Sequence, residues 1–150
     1  MQQINVSIRR AEEKDFADIL LLIKEFAVFQ KTPEKVSVTL EQMIREKNYF
    51  QCFLAETFEK KITGFATFFF TYYSWSGKAL YLDDLYVREA FRKYGIGKKL
   101  LYSVIDLAKT EECKKVRWQV SKWNSNAIEF YQQMGTVIDD VEINCDYYIQ

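Results

Sequence analysis

Ile4, Val6 and Ile8 alternate with Asn5, Ser7 and Arg9, the period of two expected of a half-buried strand. From Phe16 the period lengthens: Phe16, Ile19, Leu20, Ile23, Phe26 and Ala27 recur at helical spacing, with Lys14, Asp18, Lys24 and Glu25 largely elsewhere. Pro33 is expected to stop that helix, and Leu40, Met43 and Ile44 support a second, shorter one. Two β-rich runs follow, Phe50 to Phe58 and Ile62 to Tyr73, separated by Glu59-Lys60-Lys61, which is short enough for an antiparallel hairpin. The second run is apolar on both faces, which suits a central strand covered by helices on each side, or one that also forms part of a binding cleft. After a turn at Ser76-Gly77 come a strand from about Ala79 to Val87 and a long helix carrying Ile96, Leu100, Leu101, Val104, Leu107 and Ala108. Val116 to Val120 reads as a strand, Ala127 to Met134 as a helix closed by Gly135, and the tail to Ile149 as two short strands. The order β-α-α-β-β-β-α-β-α-β-β describes a mixed α/β domain, antiparallel early and with β-α-β crossovers late.

Composition narrows the class. Of 150 residues, 49% are hydrophobic and the 21 basic and 21 acidic side chains cancel, which excludes a disordered chain. With one Pro, five Gly and no linker-like or repeated segment, residues 1–150 are expected to form a single domain. No apolar run approaches the ~20 residues that span a bilayer, and the start Met1-Gln2-Gln3-Ile4-Asn5 has no secretory pattern. A cytoplasmic protein without a membrane partner is expected. Cys52, Cys113 and Cys145 are odd in number and widely spaced, so neither disulfides nor a metal cluster is expected. Histidine is absent, which removes Ser-His and Cys-His nucleophile pairs and the commonest general base. Proton transfer falls to carboxylate, Tyr, Lys, Cys or water.

The most informative stretch runs from Tyr81-Leu82-Asp83-Asp84-Leu85-Tyr86-Val87 through a basic, glycine-bearing turn into the helix at Ile96. Helix N-termini expose unpaired N–H groups and partial positive charge, so such a turn can receive a phosphate or diphosphate. The dinucleotide pattern GxGxxG fails at Leu100, and a P-loop fails at Arg92 and Lys99. What is present is Arg92-x-x-Gly95-x-Gly97.

That turn, followed after one helix and one strand by Asn124-Ser125-Asn126-Ala127-Ile128-Glu129-Phe130-Tyr131, resembles the GNAT superfamily of N-acetyltransferases. Within it the chain most resembles diamine and polyamine acetyltransferases of the spermidine/spermine and thialysine type, over nearly its whole length. Gly64-Phe65-Ala66, Phe70-Thr71-Tyr72, Trp75, Tyr81-Leu82-Asp83-Asp84, Gly95-Ile96-Gly97 and Trp123-Asn124 carry that likeness. The resemblance implies a central mixed twisted sheet of six or seven strands flanked by about four helices. It also implies acetyl-CoA as acyl donor, a small-molecule amine as acceptor, and a homodimer.

Acetyl transfer requires a neutral amine, and an alkyl ammonium of pKa ~10.4 loses its proton at pH 7 only at a cost of about 4.6 kcal/mol. Asp83 and Asp84 are the natural groups to hold the ammonium and accept that proton. Successive strand residues point to opposite faces, so only one meets the amine unless a bulge turns the strand. By resemblance, Tyr131 is the general acid for the leaving thiolate, and a backbone N–H between Leu85, Tyr86 and Val87 serves the thioester oxygen. Arg92, Lys93, Tyr94, Gly95, Ile96, Gly97 and Lys98 are expected around the diphosphate, Asn124 and Ala127 along the pantetheine arm, and Trp75 and Glu25 near the acceptor. No activated Cys or Ser is indicated, so direct transfer in a ternary complex is expected.

Lys93 and Lys98 stand where the subgroup has Gly and Ser, and Gln30, Tyr73 and Lys122 replace acidic residues. A long polycation therefore finds fewer carboxylates here, which favours a shorter diamine or a thialysine-like amino acid. Rival readings are a peptide or protein N-acetyltransferase and a non-catalytic acyl-CoA-binding module. A nucleic-acid partner is not expected at zero net charge.

Overall fold

The computed structural model describes residues 3–149 and divides into a unit ending at Trp118 and a second beginning at Gln119. In the first, strands β1 (Val6–Arg10), β2 (Gln51–Thr57), β3 (Ile62–Tyr73), β4 (Gly77–Val87) and β5 (Val116–Arg117) form one sheet in sequence order. Helices α1 (Phe16–Phe29) and α2 (Leu40–Arg45) lie between β1 and β2, and α3 (Ile96–Thr110) lies between β4 and β5. The second unit contains α4 (Ser125–Gln133). Strands β1 to β4 pair antiparallel and β5 joins β4 in parallel, so the early meander and the late crossover are both observed.

Each face of the sheet is covered. On one, Phe16, Ile19 and Leu22 of α1 and Met43 of α2 pack on Cys52, Leu54, Phe65 and Tyr86. On the other, α3 buries Ile96, Leu100, Leu101, Val104 and Ala108. Gly64 shows how close that approach is: a Cβ there would lie 2.7 Å from the Tyr86 carbonyl oxygen and 3.3 Å from Leu100. β3 is the middle strand, and Phe65, Ala66 and Phe68 are all fully buried, which explains why its sequence is apolar on both faces.

Several expectations are corrected. The tail from Val137 to Ile149 forms no strand among the described residues. Its alternation of Val137, Val141 and Ile143 imitates a strand, but all three are exposed, and a strand without a neighbour leaves its backbone groups unpaired. β5 ends at Arg117, not Val120, so the sheet has five strands among the described residues where six or seven were expected. Pro33 does not stop α1. The helix closes earlier, with Lys31 left-handed (φ 61°) and the Thr32 N–H bonded to the Ala27 carbonyl at 2.9 Å, and Pro33 opens a short 3-10 turn. The same closure ends α3 at Glu112 (φ 58°) and α4 at Gly135, the latter as expected.

One ion network ties β1 and β2 to the entry of α1. The Arg9 guanidinium donates two bonds of 2.8 Å to Asp15 and bonds of 3.0 and 3.1 Å to Glu56; both carboxylates are buried. Hydrogen bonding to Arg9 holds both below the usual carboxylate range. A carboxylate lowered in the folded state adds stability above its unfolded value, and that stability is lost as the pH falls. Thermal melts should therefore show the midpoint falling steeply below about pH 5. In Arg9→Met the unpaired carboxylates should weaken or reverse that acid dependence; an unaltered dependence would assign it to other groups.

Candidate active site

Across β3 and β4, Thr67 faces Asp84 while Phe68 faces Leu82, so Asp83 is an extra residue on β4 with no partner in the ladder. This β-bulge changes the strand's parity. Leu80 and Leu82 share the face of Phe68 and Gly64, beneath α3, whereas Asp84 shares the face of Thr67, Phe65 and Tyr86, on the side of α1. The Asp84 N–H donates to the Thr67 hydroxyl at 3.2 Å and fixes the bulge. Pairing with β5 covers only Leu80 with Val116 and Tyr81 with Arg117. From Leu82 to Val87 the outer edge of β4 has no ladder partner among the described residues.

The acid pair sits where this edge opens. Burial, reinforced by the neighbouring Asp83 charge, pushes the half-buried Asp84 carboxyl up to about 6. Asp83 is raised by burial as well. The Tyr81 hydroxyl is raised by burial and by Asp83, while Arg117 opposes the shift. Asp83 thus acts on both Tyr81 and Asp84. A carboxyl near 6 is a suitable proton acceptor close to neutral pH.

Beyond β4, the Arg88 N–H bonds the Thr63 carbonyl at 2.9 Å, and its guanidinium reaches the Ile62 carbonyl (3.0 Å) and Glu25 (3.1 Å). Arg92 Nε donates to the Val87 carbonyl at 2.8 Å, and the guanidinium lies 4.3 Å from the Phe29 ring centre. Arg92 therefore fastens the turn to β4 and α1. Lys93 (φ 70°) and Gly95 (φ 76°) are left-handed, and α3 begins without a side-chain cap. Its first bond is donated by Lys99 to Gly95 at 3.1 Å, so the amides of Ile96, Gly97 and Lys98 precede the hydrogen-bonded helix. Gly97 has helical geometry, and a Cβ there would meet only Val87, at 3.6 Å. Neither backbone conformation nor packing demands Gly there, although it costs a helix about 1 kcal/mol relative to Ala. Open space beside the exposed amides is what it provides.

Two further residues are expected near the acceptor. Glu25 is held by Arg88 and lines a shallow groove of about 530 Å³ with Lys61, Glu89, Ala90 and Phe91. Trp75 is fully exposed at the tip of the β3–β4 hairpin. Within the second unit, Asn124 caps α4 by accepting the Ala127 N–H at 3.3 Å. Tyr131 lies on that helix, its phenol raised by burial.

A sequence model of the acetyltransferase (GNAT) family matches residues 14–136. The chain belongs to that family. This GNAT protein is 31% identical over 141 residues to the thialysine N-epsilon-acetyltransferase of Bos taurus, covering 87% of the chain and 83% of that relative. It is 36% identical over 140 residues to the spermidine/spermine N(1)-acetyltransferase-like protein 1 of Homo sapiens, covering 87% of the chain but 20% of that longer protein. In fold it matches an aminoglycoside acetyltransferase from an uncultured soil metagenomic sample, solved with sisomicin. The TM-score is 0.77 at 23% identity, with 97% of each chain covered. The GNAT chain is thus an N-acetyltransferase that acts on amines. Among its described residues no helix is long and apolar enough to cross a membrane, and no acidic, Cys or His cluster could hold a metal.

Sequence reading missed Thr67 and Tyr81. A signal for the bulge exists: along β4 the apolar residues fall at Leu80 and Leu82, then at Leu85 and Val87, a one-residue slip in phase. Nothing in the sequence reveals that Thr67 supplies the acceptor, because that depends on register. Replacing Thr67 by Val should leave the Asp84 amide unpaired and cost about 1–3 kcal/mol in denaturant melts. It should also lower kcat/KM for amines. Full stability and activity in Thr67→Val would show that the hydroxyl does not hold the bulge.

Proposed function

We propose that this enzyme transfers the acetyl group of acetyl-CoA to the primary amine of a small diamine, polyamine or thialysine-like acceptor, directly in a ternary complex, with residues 1–150 forming one catalytic domain. The observation that carries the reading is the bulge at Asp83, which sets two carboxylates beside an unpaired strand edge and leaves one of them titrating near 6. The bovine and human relatives, named for amine acetylation, support the same class.

The turn fits a diphosphate. Amides of Ile96, Gly97 and Lys98, the left-handed Lys93 and Gly95, and the space left by Gly97 form an uncapped helix start with lysine charge on it. Lys93, Tyr94 and Lys98 line it, and Arg92 holds it in shape. Asn124 and Ala127 are assigned to the pantetheine arm, the edge amides of Leu85 to Val87 to the thioester oxygen. When bound, acetyl-CoA supplies the activated acyl group. Asp84, with Asp83, attracts the ammonium and takes its proton, and Tyr131 donates one to the departing thiolate. Cys52 faces Thr67 across the sheet, but burial pushes its thiol up to about 12, so it offers no thiolate for an acyl-enzyme.

A cytoplasmic setting accords with three free cysteines. A homodimer accords with Tyr72 and Trp75 exposed at the hairpin tip, and the absence of a nucleic-acid partner accords with zero net charge.

Thiol release from acetyl-CoA should be seen with small amines, and kcat/KM should rise with pH to a plateau above about 6 as Asp84 ionises, a limb that Asp84→Asn removes. Tyr131→Phe should lower kcat about 10-fold or more with little change in coenzyme affinity. Turnover confined to peptides would replace the acceptor class. Coenzyme binding without turnover would mark a binding module.

A further inference from the structure

The Arg88 N–H donates to the Thr63 carbonyl and the Asp84 N–H to the Thr67 hydroxyl, so these two residues turn their backbone donors toward β3. Along a strand the backbone groups of successive residues point alternately to one side and the other. The N–H and C=O of Leu85 and of Val87 therefore face the outer edge of β4, which has no ladder partner there among the described residues. One of these four groups is already engaged: the Val87 carbonyl accepts from Arg92 Nε at 2.8 Å.

Arg92 reaches that edge from a defined side. Its guanidinium carbon lies 4.3 Å from the Phe29 ring centre and 5.5 Å from that of Tyr86. Tyr86 belongs to the cluster packed beneath α1, on the sheet face opposite the one that α3 covers. The guanidinium thus sits on the α1 side, whereas the amides of Ile96, Gly97 and Lys98 open at the start of α3. Among the described residues no carboxylate lies within 4.0 Å of Arg92. Its charge is felt by the Tyr86 hydroxyl, where it opposes the upward effects of burial and Glu25. Two aromatic rings and a carbonyl fix the plane of the group and leave its charge without a counter-ion.

Asp84 and Tyr86 share this face. A carboxylate and a guanidinium resting on the Tyr86 ring therefore stand on one side of the sheet, with the edge amides of Leu85 and Val87 between them. Acyl transfer to an amine gathers positive charge on the nitrogen and negative charge on the thioester oxygen, and fixed charges of opposite sign lower the cost of both.

We propose that Arg92 is a positioning residue for the reacting thioester: it fixes the Val87 peptide whose N–H meets the oxygen, and it sets a positive charge beside that oxygen instead of on the diphosphate. The proposal rests on the amine acetyltransferase reading above. It reassigns the arginine of the Arg92-x-x-Gly95-x-Gly97 turn from the diphosphate to the acyl end of the coenzyme.

The test uses the purified full chain with two donors, acetyl-CoA and S-acetylpantetheine, which carries the thioester without a diphosphate. The acceptor is whichever of putrescine, cadaverine, ornithine and lysine the unmodified enzyme uses best. Arg92→Met keeps the stem against Phe29 and removes the charge. It should lower kcat about 10-fold or more, and kcat/KM by the same factor with both donors. Calorimetric Kd for coenzyme A should move less than about 3-fold. Arg92→Lys, which keeps the charge without the planar fork, should recover part of the rate with both donors, and it carries the same comparison if the Met variant does not fold. Loss with acetyl-CoA alone, matched by an equal loss of coenzyme A affinity, would make Arg92 a diphosphate residue and overturn the proposal while leaving amine acetylation intact. An unchanged kcat in both variants would overturn it as well. No turnover of any primary amine by the unmodified enzyme would overturn the acetyltransferase reading and the proposal with it.

Discussion

In an antiparallel ladder each side chain is committed to one face, and only an inserted residue can change that commitment. In β4 the insertion is Asp83. It lets Leu80 and Leu82 face α3 while Asp84 turns to the α1 side, and the Thr67 hydroxyl secures the new phase. Without the extra residue Asp84 would keep the phase of Leu80 and Leu82 and face α3 among buried leucines. The site's acidity, its direction and the strand edge that flanks it all follow from this local change.

The surrounding fold makes the bulge affordable. Both faces of β3 are buried, Gly64 brings Leu100 of α3 close against the strand, and Tyr86 is packed among Phe26, Phe29 and Phe65. Pairing that continues on both sides of the irregularity keeps it from spreading. Below Val87, Arg92 and Arg88 spend their donors on backbone carbonyls of β4 and β3, so the turn into α3 is set by internal bonds and its amides remain available. The ladder to β5, only two residues long, places Arg117 and Lys115 within reach of Tyr73 and ends where the acid pair begins.

Much of this was legible in the sequence. Periodicity located α1, α2, α3 and the β2–β3 hairpin closely, and Arg92-x-x-Gly95-x-Gly97 with Asn124 and Tyr131 led to the family that the comparisons establish. What was not legible depends on register and partners. The tail alternates like a strand but has no pairing neighbour among the described residues, and β5 is shorter than its apolar run. Lys31 and Glu112 end helices in a conformation usually left to glycine, so composition gave no sign of them. Trp75 and Glu25 were grouped with the acid pair by resemblance. The structure finds one exposed at a hairpin tip and the other paired with Arg88.

The account turns on whether the backbone between Lys93 and Lys98 receives a diphosphate beside the bulged strand. A crystal structure of the chain with coenzyme A measures this directly. The account predicts phosphate oxygens at hydrogen-bond distance from the amides at the start of α3, and the sulfur beside the open edge of β4 near Asp84. A diphosphate bound elsewhere, or a sulfur on the α3 side of the sheet, would contradict it.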